Sequence, residues 1–298
     1  MAMTHRKAVV LMLLVTLMWS SAGVVTRQLE AARSFEVTFW RSAFNALSLL
    51  AALLVLRGPA LWGQVLRAPR KVWASGLCWA VMYTAFMLAL TMTSVANVLV
   101  TMALGPLLTA LFARIFLHHR LPARTWLAIA LGSAGIAWMF AHEMQGGPGS
   151  LAGMGVALGV PLAAACNWTL LQHDSRAGGE RSDMLLAVLL GALVSALLTL
   201  PLAWPLQASA HDVGLLAGLG LFQLALPCLL VVRLSQVLSG PELALLGLLE
   251  VLFGVLWAWL GAGEAPSTAA LSGGAMVLTA LVGNELLGLR RSGVSRRE

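Results

Sequence analysis

The chain alternates between long apolar stretches and short polar connections. The stretches cover residues 8–26, 35–56, 72–91, 94–117, 124–141, 151–172, 183–202, 211–233, 241–260 and 268–288. Each is long enough to cross about 30 Å of hydrocarbon as an α-helix. The pattern therefore predicts an all-α membrane protein with ten transmembrane helices.

The basic residues of the connections predict the orientation of these helices. If the N-terminus lies in the cytosol, all but three of the 19 Lys and Arg residues fall in cytosolic connections or tails. Of the three, Arg27 and Arg33 fall on the far side and Arg41 lies within the second stretch. Because cytosolic connections of membrane proteins carry the excess of positive charge, we expect both termini in the cytosol.

Composition narrows the class of protein further. Hydrophobic residues make up 59% of the chain and charged residues 10%, with a mean hydropathy of +0.87, which predicts a membrane domain with little soluble mass. The net charge of +7 suggests nucleic-acid binding at first sight. The basic residues are spread over short connections, however, so we expect the lipid bilayer, and no nucleic acid, as the partner of this charge.

Two parts of the chain resemble each other. Residues 19–27 and 168–176 share Trp, two hydroxyl residues and Arg at a constant offset of 149 residues. This match predicts two five-helix repeats, residues 1–146 and 147–298, which together form one membrane domain. Because five is odd, the second repeat would be inverted relative to the first, an arrangement typical of alternating-access transporters.

Polar side chains inside hydrocarbon are costly and normally face the interior of a helix bundle. We therefore expect helices 1–4 and 6–9 around a central cavity, and helices 5 and 10 at the periphery. The predicted lining residues are Trp19, Ser20, Arg41, Asn45, Trp79, Tyr83, Met87, Asn97, Thr101, Trp168, Gln223 and Glu250. Prolines lack a backbone N–H, so Pro106, Pro161 and Pro227 are predicted to break their helices near the site.

Two of the predicted lining residues carry charge, and each has two interpretations. Glu250 lies near mid-membrane, where it either carries a proton or meets a substrate ammonium, or else has a structural role beside Gly105 and Pro106. Arg41 either binds a substrate carboxylate, or extends toward the membrane surface and pairs with Glu36.

Motifs of other functional classes are missing from the sequence. His118-His119 and His173-Asp174 have no third ligand at suitable spacing, so we expect no metal. The sequence has no Ser-His or paired-Asp arrangement and no zinc-protease helix, so we expect neither an enzyme nor a cofactor. A receptor or scaffold without transport remains an alternative, and a measurement of solute flux separates it from a transporter.

Several short motifs, in this order, resemble the EamA family of the drug/metabolite transporter superfamily. They are Leu17-Met18-Trp19-Ser20-Ser21, Phe39-Trp40-Arg41, Thr93-Ser94-Val95-Ala96-Asn97, Leu104-Gly105-Pro106-Leu107-Leu108, Asn167-Trp168-Thr169, Leu249-Glu250-Val251 and Gly263-Glu264. The chain departs from the family where the loop acid of the first half is replaced by His119 or Arg120. Gly105-Pro106 likewise stands in place of the first Glu-Pro pair.

The resemblance implies ten helices in two inverted repeats and export of small metabolites, as in amino-acid exporters of the YddG type. Few charges lie in the predicted cavity, which favours neutral or zwitterionic solutes, with amino acids foremost. The alternative is efflux of cationic or aromatic drug-like compounds, coupled to protons through Glu250. We expect a protein that is functional as a monomer in the bacterial inner membrane.

Overall fold

The computed structural model describes residues 4–118, 122–143, 148–176, 183–234, 237–238, 246–247 and 249–294, and this part of the chain is helical without strands. The first seven helices are α1 (His5–Thr26), α2 (Ser34–Arg57), α3 (Ala60–Leu66), α4 (Arg70–Met92), α5 (Val95–Met102), α6 (Gly105–Phe116) and α7 (Ala123–Glu143). They are followed by α8 (Pro148–Arg176), α9 (Met184–Ala203), α10 (Ala210–Gly218), a π-helical segment (Leu219–Ala225), α11 (Leu226–Leu234), α12 (Leu249–Ala262) and α13 (Thr268–Val294).

Within these described residues, seven helical segments are long and apolar enough to cross a membrane. They are His5–Thr26, Ser34–Arg57, Arg70–Met92, Val95–Phe116, Leu151–Leu170, Met184–Ala203 and Ala210–Val231. Leu249–Ala262 and Thr268–Asn284 are shorter apolar helices. The prediction of an all-helical, multi-pass membrane protein is therefore confirmed. The count of ten spans and the cytosolic termini stay predictions, and the predicted boundary between residues 146 and 147 lies outside the described residues.

Proline positions differ in their effect on the helices. The fourth apolar stretch is divided into α5 and α6, and Pro106 occupies the first turn of α6, where a missing N–H costs little. Pro227 lies in the first turn of α11, directly after the π-helical segment. The predicted break at Pro161 is wrong, since α8 continues through this residue. Pro161 is buried. The helices packed around α8 keep α8 helical at this position although proline removes one backbone hydrogen bond.

Helix pairs from distant parts of the chain build the bundle. The helix α4 packs against α8 and α9, α2 packs along α9, α1 against α12, and α7 along α13. In the last pair, a Cβ added to Gly135 would lie 2.7 Å from the carbonyl oxygen of Gly273. These glycines therefore allow two backbones to approach more closely than any side chain would permit.

The two ends of the bundle are distinguished by their polar contacts. One end, called here the Arg27 end, carries the C-terminus of α1, the α4–α5 junction, and the connections before α2, α10 and α13. The opposite end carries an ion pair between Arg57, at the end of α2, and Asp183, which caps the first turn of α9. Antiparallel packing of α2 on α9 places these residues together.

Candidate functional site

A group of five polar residues lies near the middle of the bundle. This group, the central polar cluster, consists of Arg41, Asn45, Tyr83, Gln223 and Glu250. Counted along their helices at about 1.5 Å per residue, Arg41, Tyr83 and Glu250 lie about 10, 14 and 18 Å from the Arg27 end. A hydrocarbon layer is about 30 Å thick, so the cluster falls near mid-membrane.

Arg41 is held in the bundle interior by a neutral partner. Its side chain is 1% exposed, and its Nε and Nη2 atoms donate to Oε1 of Gln223 at 3.1 and 2.7 Å. Gln223 in turn donates from Nε2 to the carbonyl oxygen of Trp19 at 3.1 Å. The guanidinium carbon also lies 5.3 Å from the centre of the Phe86 ring. The contact therefore connects α1, α2, α4 and the π-helical segment.

The predicted pairing of Arg41 with Glu36, and its extension toward the membrane surface, are both wrong. Glu36 instead accepts hydrogen bonds from the backbone N–H groups of Gln207 and Ala208 at 2.9 and 2.8 Å. It also accepts one from Nε1 of Trp40 at 3.3 Å. These three donors all donate to Oε1 of Glu36 near the Arg27 end, whereas Gln223 accepts from Nε and Nη2 of Arg41 deeper in the bundle.

Several polar atoms of the central polar cluster are buried without a partner. Nη1 of Arg41, both amide atoms of Asn45 and the hydroxyl of Tyr83 have no hydrogen-bond partner among the described residues, and the same holds for the hydroxyl of Thr101. The Tyr83 hydroxyl adjoins Asn45 and Cys228, although none of these contacts has hydrogen-bond geometry. Leaving buried polar atoms unpaired is costly, which makes the central polar cluster the candidate site for a polar molecule.

Glu250 contributes a carboxylate to the central polar cluster. It lies in the first turn of α12 and is half-buried. Its carboxylate is within electrostatic range of Arg41 but not within ion-pair distance. The cluster thus holds one cation and one anion that are near each other without neutralising each other directly.

A short chain of hydroxyl groups, which the sequence analysis missed, ties three helices together beside the cluster. Oγ of Ser195 on α9 lies 2.9 Å from Oγ of Ser42 on α2 and 3.0 Å from Oγ1 of Thr84 on α4. Ser42 and Thr84 follow Arg41 and Tyr83 directly in the chain. Their polarity within apolar stretches was the available signal.

Other predicted lining residues have local roles. Ser20 is buried and donates to the carbonyl oxygen of Leu17 within its own helix at 2.8 Å. Asn97 is buried at the start of α5, where its backbone N–H donates to Ser94 and its amide to Thr93. Met87 is buried in the apolar core. The structure does not bring these three residues into the central polar cluster.

The predicted tryptophans occupy different surroundings. Trp19 is half-buried and reaches the cluster through its carbonyl oxygen, and the ring of half-buried Trp79 lies 5.7 Å from that of Tyr83. Trp168 is 43% exposed, whereas its neighbour Asn167 is buried and accepts a hydrogen bond from Ser75 at 2.6 Å. The residues matched across the two halves, Trp19 and Trp168, therefore have unequal environments in this conformation.

An ion-pair network closes part of the Arg27 end. Nε of Arg27 donates to Oε2 of Glu264 at 2.6 Å, and its Nη1 and Nη2 donate to the carbonyl oxygens of Leu90 and Thr93 at 2.5 and 2.8 Å. Oε1 of Glu264 accepts from the backbone N–H of Val95 at 2.6 Å. This Arg27–Glu264 network fastens α1 and the α4–α5 junction to the connection between α12 and α13.

A second contact at this end pairs two connections through carboxylates. Asp212 is 0% exposed and accepts from the backbone N–H groups of Glu30, Ala31 and Ala32 at 2.8 to 2.9 Å. Glu36 does the same for the connection before α10, so each connection is capped by an acid from the first turn of the helix that follows the other connection. Glu30, His211 and Asp212 each place one potential metal-ligand atom within 4.8 Å of those of the other two. The backbone N–H groups already use both Asp212 oxygens, so this geometry favours a structural role for Asp212 over metal binding.

Comparisons with known proteins agree with this architecture. The model of the EamA-like transporter family matches residues 6–141, in agreement with the resemblance of the motifs. Among solved structures, one crystal structure has a TM-score of 0.61 and 20% sequence identity, and covers 96% of this chain and 99% of the other. At this identity the likeness shows the fold alone. No curated protein gave a significant match.

The fold and the family together define the class of protein. The chain is a multi-pass membrane protein, and the family model that matches residues 6–141 describes membrane transporters of the drug/metabolite superfamily. Members of this family are transporters and not enzymes.

Proposed function

We propose that the chain is a secondary transporter that exports small metabolites across the bacterial inner membrane. Its solutes are amino acids or similar neutral and zwitterionic molecules, and it works as a monomer by alternating access. The single observation that carries this proposal is the central polar cluster, a set of buried and unpartnered polar atoms near mid-membrane. Intramembrane polar residues of this kind mark solute pathways in transporters.

Helix packing supports two inverted five-helix repeats, residues 1–146 and 147–298. In such an arrangement the third helix of each half packs against the first helix of the other half. The helix α4 contacts α8, and α1 contacts the π-helical segment with α11, as this symmetry requires. The pairs α2 with α9 and α7 with α13 would lie on the pseudo-two-fold axis. Exchange of conformations between such halves is the basis of alternating access.

The distribution of basic residues supports an orientation in which the Arg27 end faces away from the cytosol. The Arg27–Glu264 network and the capping carboxylates Glu36 and Asp212 then lie on the outer side and join the two halves there. We infer that these contacts close the outer side of the pathway in this conformation. They would have to separate when the solute is released.

The experiment that tests the proposal is solute efflux from proteoliposomes. Vesicles containing the purified full-length protein are loaded with a panel of radiolabelled amino acids, and the loss of label is followed against empty vesicles. Saturable efflux of at least one solute is expected. Arg41→Gln should reduce it at least tenfold, since it removes the positive charge of the cluster, whereas the matched change at exposed Arg33 should have no effect. Lack of efflux across the whole panel would contradict the proposal.

A second candidate function is favoured by the position of Glu250. An acidic residue inside a membrane is typical of proton relays, so proton-coupled efflux of cationic or aromatic drug-like compounds is the alternative. Glu250→Gln separates the two candidates when flux is measured at several external pH values. Loss of the pH dependence supports proton coupling through Glu250, and flux that is unchanged at every pH excludes it.

A further inference from the structure

We propose that Arg41, Asn45 and Tyr83 form a carboxylate subsite, so that the transported solutes are carboxylic acids. The inference rests on the proposed transport function and names the chemical group that the site selects. It follows because some hydrogen-bond donors of the central polar cluster have partners and others have none among the described residues.

The partner of Arg41 determines the charge of the subsite. Gln223 accepts two hydrogen bonds from the guanidinium but carries no charge, so it fixes the orientation of Arg41 without neutralising it. A buried cation is stable only when an anion compensates it. Glu250 lies within electrostatic range but does not pair with Arg41 directly. An anionic group of the solute would provide the direct pairing that this conformation lacks.

The unpaired donors match the acceptor sites of a carboxylate. Nη1 of Arg41, the amide nitrogen of Asn45 and the hydroxyl of Tyr83 are buried donors without partners among the described residues. Arg41 and Asn45 lie one turn apart on α2, and Tyr83 lies near both. The two oxygens of a carboxylate have about four lone-pair sites and can accept all three hydrogen bonds.

The rest of the cluster suits the remainder of an amino acid. Oδ1 of Asn45 is an unpaired acceptor, and Glu250 supplies a carboxylate within electrostatic range of Arg41. Both can receive a protonated amine, so a zwitterion can place its carboxylate at Arg41 and its ammonium toward Glu250. Phe86 and Trp79 supply apolar surface beside these groups.

The test compares solutes that differ only in the carboxylate. Each amino acid of a panel, for example leucine and phenylalanine, is measured beside its amide and its methyl ester. Competition for efflux in proteoliposomes and thermal stabilisation of the purified protein are both recorded. We expect each active acid to bind at least tenfold more tightly than its amide, as a charge-assisted pair with Arg41 and Tyr83 implies. Tyr83→Phe keeps the ring packing and should narrow this ratio.

Gln223→Glu tests the role of the neutral partner. The variant is isosteric but supplies a permanent anion to Arg41. The ratio of the affinity for an acid to the affinity for its amide should therefore fall to about one. Gln64→Glu is the matched control, because Gln64 also accepts a hydrogen bond from an arginine, Arg57, but is exposed and remote from the cluster. It should keep the preference of the unmodified protein. If Gln223 has only a structural role, Gln223→Glu should lower stability without changing the ratio of acid to amide affinity.

The outcomes separate this inference from the proposed function. If amides and esters are bound and exported as well as the acids, the carboxylate subsite is wrong while the transport function stands. A Gln223→Glu variant that folds and keeps the full acid preference also overturns the subsite. If no compound of the panel binds or moves, both the proposed function and the subsite fail.

Discussion

Arg27 and Glu264 form an ion pair, with Nε 2.6 Å from Oε2, that joins the end of α1 to the connection between α12 and α13. Glu264 uses its other oxygen for the first backbone N–H of α5, at Val95. One carboxylate thus links three segments that are distant in sequence. Its removal should weaken the closure of the whole Arg27 end.

Glu264→Gln is expected to lower the free energy of unfolding by about 1–3 kcal/mol, because charge-assisted hydrogen bonds to two segments are weakened. The measurement is thermal unfolding of the purified protein in detergent. A double-mutant cycle with Arg27→Gln provides the control, since residues in direct contact should show non-additive effects. Additive effects within about 0.3 kcal/mol would contradict the claimed interaction.

Asp212→Asn should destabilise the protein by about 3 kcal/mol, because a carboxylate that accepts three backbone N–H groups is replaced by a weaker, neutral acceptor. Glu30→Gln is the matched control, since the Glu30 side chain is 65% exposed. The control should change the unfolding temperature little. Equal losses for both variants would show that the burial of Asp212 has no special importance.

The pH dependence of stability should report the ion pair of Asp183 with Arg57. Burial of the Asp183 carboxyl opposes its ionisation, but the hydrogen bonds from Arg57 and from the Leu186 backbone outweigh burial and hold the pKa of Asp183 below its usual value. Because the pKa of Asp183 is lower in the folded state, its ionised carboxylate stabilises the fold at pH values above the unfolded-state pKa of about 3.9. This stabilisation is lost as the pH falls through the folded-state pKa.

The stability difference between the unmodified protein and Asp183→Asn should therefore be constant from neutral pH to about 5 and shrink below about 4. Thermal unfolding in detergent over this pH range provides the measurement. A difference that grows on acidification would mean that the sign of the pKa shift is wrong.

Gly135→Leu should separate α7 from α13 and reduce stability by about 1–3 kcal/mol, because a Cβ at this position meets the Gly273 carbonyl at 2.7 Å. Gly283→Leu on α13 is the control, since a Cβ there has nothing within 4 Å. The two variants are compared by thermal unfolding. A loss at Gly283 as large as that at Gly135 would exclude close glycine packing as the cause.

The fold was largely predictable because membrane helices are set by local apolar length. All ten predicted stretches overlap helices, and the fourth is divided just before Gly105 and Pro106. The prediction at Pro161 failed because its outcome depends on the helices packed around α8, which the local sequence does not specify. The same limit applies to Asp212. Ser209, three residues before Asp212, is a local signal of a helix start. The hydrogen bonds that Asp212 accepts from residues 30–32 are non-local and leave no such signal.

The central polar cluster was predictable in its members more than in its contacts. Arg41, Asn45, Tyr83, Gln223 and Glu250 stood out because polar residues are rare in apolar stretches. The pairing of Arg41 with Gln223 joins residues 182 positions apart, and Glu36 looked like the nearer partner in sequence. Asn97 was predicted to line a cavity, but at the start of α5 its backbone N–H is capped by Ser94 and its amide donates to Thr93.

Counterflow in proteoliposomes tests alternating access through the central polar cluster most directly. Vesicles preloaded with a high concentration of an unlabelled amino acid are diluted into a trace of the same labelled compound, and the label inside is followed over time. A carrier that exposes one site alternately to each side accumulates label transiently above equilibrium. We predict this overshoot for the unmodified protein and its loss in Arg41→Gln. Label that only equilibrates, or that never enters for any solute tried, would contradict alternating access through the central polar cluster.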